Sequence, residues 1–197
     1  ALAVTAAVAL ALGLGGGWLL RQPAPPPLGA GARWALAVPE GLALSTDQVA
    51  QIALSDDGRL QVAVVVDEES ETRLLLRSVD ELTPRLVPDT EGAVAPFFSP
   101  DGAWIGFFRE RALFKIPTVG GAAVRIAAIS GQAIQVRGAS WGRDGFIYLA
   151  PNVSHPISRI PVDGGAAEEV TKLDGARDER THRFLQVLPN GKAVLYT

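Results

Sequence analysis

Cysteine and methionine are absent from the 197 residues, and histidine occurs only at positions 155 and 182. Without thiols there can be no disulfide, no thiolate metal site and no cysteine nucleophile. Two histidines cannot build a histidine-rich metal centre, so neither a metal nor another cofactor is expected. Positive charge is also scarce: 18 Lys and Arg stand against 21 Asp and Glu, for a net charge of −3 and a pI near 5.4. Neutralising phosphates needs clustered cations, so nucleic acid is not an expected partner. What the chain has in quantity is apolar residues, 48% against 20% charged, enough for a packed core rather than a disordered tail. Because methionine is missing and Ala1 already lies inside an apolar run, the chain is expected to be cut at its start. Its other end, Tyr196-Thr197, falls in a strand-like pattern and reads as cut too.

Charge is missing altogether from Ala1 to Leu20, where Thr5 is the only polar side chain. A run of that length, at about 1.5 Å per residue, spans roughly 30 Å, the hydrocarbon thickness of a bilayer. Trp18 sits near one end, where an interfacial aromatic belongs, and Arg21 closes the run. The expectation is a transmembrane helix over residues 1–20. The rival is a secretory signal peptide, whose apolar core is shorter, about 7–15 residues, and ends in a small-residue cleavage site. Ala30-Gly31-Ala32 has that composition but lies beyond a proline stretch, and length favours the span. Ala3, Ala7, Ala11 and Gly15 recur every fourth position, beside a Gly13/Gly17 pair. Such a face allows a helix-mediated dimer, although an Ala/Gly-rich run also produces the spacing by chance. Pro23, Pro25, Pro26 and Pro27 make residues 21–32 an extended linker.

Beyond the linker the sequence repeats. Asp57-Gly58, Asp101-Gly102, Asp144-Gly145 and Asn190-Gly191 are turn formers whose glycines are 44, 43 and 46 residues apart. Four residues before each glycine stands an apolar side chain: Leu54, Phe98, Trp141 and Val187. A β-prone run comes after each glycine, as in Trp104-Ile105-Gly106-Phe107-Phe108. A second marker, Gly120-Gly121-Ala122-Ala123, returns 44 residues later as Gly164-Gly165-Ala166-Ala167. Each unit therefore reads as strand, hairpin, strand, turn, strand, Gly-Gly turn, strand. In the second unit the strands are expected over 93–99, 104–109, 112–118 and 123–128. Four strands in such a period is the arithmetic of a β-propeller blade, and no later segment shows helical periodicity.

The fold class is therefore all-β: an incomplete β-propeller over 33–197, an open arc of about three and a half four-stranded blades, behind one transmembrane helix. The blades are expected near 47–89, 93–130, 135–173 and 183–197. Trp34–Val38 and Gly41–Leu44 are earlier strand candidates that could complete a closing blade. The four apolar positions are expected to match from blade to blade and to fill the layers between them.

The stretch Ser99-Pro100-Asp101-Gly102-Ala103-Trp104-Ile105-Gly106-Phe107 resembles the repeat of TolB-type, WD-repeat-like propellers. With Pro96-Phe97-Phe98, Lys115-Ile116-Pro117, Gly120-Gly121-Ala122 and Gly138-Ala139-Ser140-Trp141, it resembles the propellers of bacterial membrane-anchored serine/threonine protein kinases. The resemblance covers residues 33–197 and extends to the preceding helix and linker. It implies about six blades in the full ring, and a sensor or interaction module on the extracytoplasmic side of the bacterial cytoplasmic membrane. Two departures concern position 100, whose proline becomes Asp56 in the first unit and Arg143 in the third, which predicts looser turns there.

No kinase sequence is present: there is no His-Arg-Asp loop, no Asp-Phe-Gly and no Gly-rich loop with its strand lysine. Gly138-Ala139-Ser140-Trp141-Gly142 has the Gly-x-Ser-x-Gly spacing of a hydrolase nucleophile, but the segment after it reads as another strand rather than the required helix. Asp56, Asp57, Asp101 and Asp144 read as turn residues rather than calcium ligands, since they belong to separate blades. No catalytic residue is expected, and the chain reads as a non-enzyme. The one candidate binding cluster is Arg137, Arg180, His182 and Arg183. Arg137 and Arg183 each stand eight residues before a turn glycine, at equivalent positions of adjacent blades. Two arginines at one rim could hold an anionic small ligand or a partner protein's carboxylate. Ordinary surface charge, neutralised by Asp178 and Glu179, is the plainer reading. Alternatives to the kinase-linked sensor are a periplasmic or secreted scaffold propeller without an effector and the propeller of a membrane-bound transcriptional regulator.

Overall fold

The computed structural model describes residues 36–46, 51–129 and 136–197. The expected membrane helix over 1–20 and linker over 21–32 lie outside the described residues. Among the described residues no helix is long and apolar enough to cross a membrane. The chain divides into units 1–35 and 36–197, and the second is the β domain described below.

Its strands fall into four antiparallel sheets in chain order. The first contains β1 (Ala43–Leu44), β2 (Ile52–Leu54), β3 (Leu60–Val66), β4 (Thr72–Ser78) and β5 (Arg85–Leu86). The second contains β6 (Val94–Phe98), β7 (Trp104–Arg109), β8 (Ala112–Pro117) and β9 (Val124–Ala128). The third contains β10 (Ala139–Trp141), β11 (Phe146–Leu149), β12 (Ser158–Pro161) and β13 (Glu168–Glu169); the fourth is the pair β14 (Gln186–Val187) and β15 (Val194–Leu195). From β2 onward the strands of each sheet pair in sequence order, and β2, β6, β10 and β14 lie side by side as the inner strands. The four strands of the second unit stand within one residue of the ranges the repeat predicts.

Gly41–Leu44, one of the early strand candidates, supplies β1. It pairs with the far end of β3, Ala43 opposite Val66, beyond the point where Ile52 of β2 meets Ala63. Both strands therefore share one edge of β3. Residues 36–38, the described part of the Trp34–Val38 candidate, form no strand.

The hairpins explain why Ser-x-Asp-Gly recurs. In the second sheet the Ser99 hydroxyl donates to Asp101 Oδ1 at 2.5 Å and accepts the Trp104 N–H at 2.9 Å. Asp101 Oδ1 also accepts the Ala103 N–H at 3.0 Å. The first sheet repeats this with Ser55, Asp57, Arg59 and Leu60. In both turns the Gly N–H donates to the serine carbonyl, and φ near +70° at Gly58 and Gly102 requires glycine. Gly145 and Gly191 take the same left-handed conformation. The third turn is tighter, not looser as expected: Gly142 N–H bonds Phe146 O, one residue sooner than Ser99 N–H bonds Trp104 O. Gly142 carries no hydroxyl, so the Asp144 carboxylate instead takes the Phe146 N–H and the Tyr148 hydroxyl.

Between sheets the apolar faces interlock. Val62, Val64, Leu74 and Leu76 of the first sheet meet Phe98, Ile105, Phe107 and Ile116 of the second. Phe97, Phe108, Leu113 and Ile126 on the second sheet's other face meet Ile147, Leu149, Ile160 and Trp141 of the third. A smaller layer of Tyr148, Ile157, Leu185 and Val187 joins the third to the fourth. Phe98, Trp141 and Val187 thus each pack toward the preceding sheet, as matching repeat positions should. Leu54 does not: it is 61% exposed. Its face looks away from the second sheet, and no described sheet precedes the first. The expectation that Leu54 fills an inter-blade layer is corrected on that ground.

Candidate functional site

Setting the inner strands side by side leaves a concavity at the hub. It has a volume of about 490 Å³ and is walled by Ile52 and Leu54, Pro96 and Phe97, Ala139 and Trp141, and Phe184 and Gln186. Successive side chains of an inner strand point to opposite faces of its sheet, as Phe97 and Phe98 do, and the face of Ile52 and Leu54 has no described sheet against it. Ile52, Leu54 and Phe184 remain 48%, 61% and 62% exposed, so the wall is apolar and wettable rather than sealed. Such a surface holds apolar side chains of a ligand or peptide while backbone edges fix their orientation.

The turn end of this concavity carries charge. Asp56 and Arg143 replace proline at the same repeat position, and there Arg143 Nη2 donates to Asp56 Oδ2 at 3.2 Å. Asp57 and Asp101 line the small recess beside this pair. The sequence pattern keeps these aspartates apart because they belong to separate blades, yet the hub brings equivalent turns together. The Arg143 guanidinium pairs with one of them, Asp56. Among the described residues no group of three or more possible ligands is gathered for a metal ion. Asp57 and Asp101 titrate below the usual carboxylate range, chiefly because the Ser55 and Ser99 hydroxyls donate to them and then because backbone N–H groups do.

The opposite end holds the arginines singled out in the sequence. The Arg137 carbonyl accepts the Phe184 N–H at 2.6 Å, which joins the start of the third sheet's inner strand to that of the fourth. Arg137 N–H donates to Ala150 O, and Arg183 pairs with Thr197 through two backbone bonds of 2.7 and 2.9 Å. Both side chains are half-buried. Arg137 and Arg183 are therefore neighbours by position, as their shared spacing implies.

Arg180 and His182 do not join them. Arg180 projects into solvent and pairs with Asp178 at 3.2 Å. His182 is buried, at 4% exposure, with its ring 4.4 Å from that of Tyr196. Its Nδ1 meets Thr171 Oγ1 at 2.8 Å and its Nε2 lies 3.5 Å from Glu179 Oε2. A place for His182 at a binding rim is corrected accordingly: the imidazole closes the joint between third and fourth sheets. The hydroxyl–imidazole–carboxylate order looks like a nucleophile relay, but Thr171 Oγ1 already accepts the Ile157 N–H at 2.9 Å. Glu179 titrates low because it accepts the Asp174 N–H and, next, because His182 faces it. These contacts describe a structural latch.

Ser140 is likewise structural. It is 5% exposed, and its Oγ accepts the Val187 N–H at 3.1 Å, pinning β14 to β10. His155 lies in a loop, against Asn152 Oδ1 at 2.8 Å. Sequence reasoning missed the Asp56–Arg143 pair and the exposed Ile52 and Phe184. Overlaying the repeats would have revealed the pair, since opposite charges stand where the second unit has Pro100.

No protein-family model and no curated protein sequence matches the chain. Solved structures do. A TolB from Agrobacterium tumefaciens is 21% identical with a TM-score of 0.60, covering 74% of this chain and 52% of its own. TolB from Acinetobacter baumannii is 16% identical at a TM-score of 0.60, covering 76% and 37%. Virginiamycin B lyase from Staphylococcus aureus is 14% identical at 0.53, covering 74% and 47%. The chain thus spans about half, or less, of the length of these structures. Together they show a TolB-like β-propeller fold, and they include an enzyme by name as well as TolB proteins.

Proposed function

We propose that this propeller is a binding module, a sensor or protein-interaction domain that takes a peptide or small ligand at the hub. The observation that carries this reading is the apolar concavity bounded by the inner strands, with Ile52, Leu54 and Phe184 exposed in its wall and charge at its mouths. The side chains with nucleophile or general-base chemistry support the same reading, because Ser140, Thr171 and His182 are each engaged in joining sheets. On this reading the chain itself catalyses nothing. Its setting is the extracytoplasmic face of a bacterial membrane, anchored through residues 1–20, in a receptor-type serine/threonine kinase. The repeat residues Pro96 to Gly102 and the apolar run before the prolines support that setting.

Selection of peptides from a random display library on the folded chain tests the binding role. Binders that lose affinity for a Phe184→Asp variant and compete with one another support it; binders indifferent to that change remove the hub as the site. ATP-dependent serine or threonine autophosphorylation of the full gene product in membranes tests the kinase setting separately. A full product without such activity removes that setting and leaves the binding role standing.

A further inference from the structure

A second concavity, of about 510 Å³, opens at the turn end of the seam between the second and third sheets. That volume lies within the range of about 300–1,000 Å³ typical of ligand sites. Trp104 of β7 and Trp141 of β10 line it, with Asp101, Lys115, Arg143 and Asp163 around them. These six residues come from four segments of the chain, so only the folded seam assembles them.

Both tryptophans are half-buried and line the groove. The rings are held in place: Lys115 Nζ sits 5.3 Å over Trp104, and Phe97 lies 6.3 Å from Trp141 at a 60° tilt. Lys115 is itself tied across the seam, donating to Val162 O at 2.9 Å and to Asp163 Oδ1 at 3.1 Å. The aromatic surface is therefore fixed before any ligand arrives, which lowers the entropy cost of binding.

Charge decides the ligand class. Two cations and two carboxylates line the groove, and Asp56 stands behind Arg143, so the lining carries no excess of either sign. An anion meets Asp101 and Asp163, a cation meets Lys115 and Arg143, and neither gains from the local field. A neutral ligand that offers both donors and acceptors, and that has C–H faces to lie on indole rings, matches every group present. We propose that this groove binds a neutral saccharide, stacked on Trp104 and Trp141, with its hydroxyls shared between the carboxylates and the cations. The site is separate from a hub ligand, although Trp141 borders both concavities.

The test is calorimetry with tryptophan emission on the whole chain, using maltotriose, cellotriose and chitotriose as probes. Phosphoserine, tetralysine and uridine serve as charged and stacking controls. At least one trisaccharide should bind with a Kd at or below about 1 mM and shift the emission. Trp104→Leu should weaken it at least about tenfold, whereas Phe184→Asp at the hub should not. Should Trp104→Leu fail to fold, Asp163→Ala replaces it, since that carboxylate is 90% exposed and removable without disturbing packing. Failure of all three sugars to bind overturns the proposal. So does an affinity untouched by both groove variants, or tighter binding of any control.

Discussion

Asp56 and Arg143 occupy one repeat position in the first and third sheets and form an ion pair 87 residues apart in sequence, Nη2 to Oδ2 3.2 Å. The pair skips the second sheet, where Pro100 stands at that position, and so links two blades that are not neighbours. Both side chains are more than half exposed, so a gain of about 0.2–1 kcal/mol is the appropriate scale. A double-mutant cycle of Asp56→Ala and Arg143→Ala should return a coupling of that size, shrinking as salt is raised. Zero coupling at low salt would show that the two side chains do not meet in solution.

The order and spacing of the strands were legible because turn chemistry is local. Ser99, Asp101 and Gly102 satisfy one another within a few residues, so the sequence carries the whole cause. The relation of Phe98, Trp141 and Val187 was legible for the same reason, one period apart. What escaped was set by the curvature that stacks the blades. The meeting of Asp56 with Arg143 depends on how far each sheet turns about the hub. The burial of His182 depends on Tyr196 and Thr171, which approach it only when the fourth sheet docks. The exposure of Leu54 reflects the lack of a described sheet against its face rather than its own sequence. Of the proposed rim cluster, only the kinship of Arg137 and Arg183 could be read from spacing.

Ser140 tests whether its hydroxyl is mechanical. In Ser140→Ala the Val187 N–H keeps its burial and loses its acceptor, a change that costs about 1–3 kcal/mol. Thermal melting should fall accordingly. A melting curve like that of the wild type would remove the pin between β10 and β14.

Gly106 is the one β7 residue without a side chain, and the ring of Phe97 occupies the space a Cβ would take. Gly106→Ala must displace that ring from its contacts with Phe108 and Trp141. Overpacking of this kind costs about 1–3 kcal/mol, which denaturant titration would register as a lower midpoint. An unchanged midpoint would mean that Phe97 does not lie over the strand.

Acid should weaken the domain through its turn and loop carboxylates. Asp57 and Asp101 are held below their ordinary pKa first by serine hydroxyls. Asp89 is held down first by the Ala123 N–H and then by Arg109. A depressed folded-state pKa contributes stability that is complete above the unfolded value, about 3.9, and is lost as pH falls through the folded value. Melting temperature should therefore be insensitive to these groups at neutral pH and drop below about pH 4. Asp101→Asn should melt lower than wild type at pH 7 and approach it in acid. A gap of constant size across the pH range would contradict the assignment.

The repeat positions provide the sharpest contrast, because one sequence rule predicts equal roles and the structure separates them. Trp141 packs with Phe97 in the layer between second and third sheets, and Phe98 is buried in the layer before it. Truncating either to alanine removes a large aromatic from a packed layer and should cost about 3–5 kcal/mol. Leu54 holds the corresponding place in the first sheet but is 61% exposed, so Leu54→Ala should stay within about 0.5 kcal/mol of wild type. The three variants, melted side by side, distinguish a position from its surroundings. If Leu54→Ala proved as damaging as Trp141→Ala, something must cover Leu54 in solution and its face would be an interface. If Trp141→Ala proved harmless, the layer between the second and third sheets would not be packed as described.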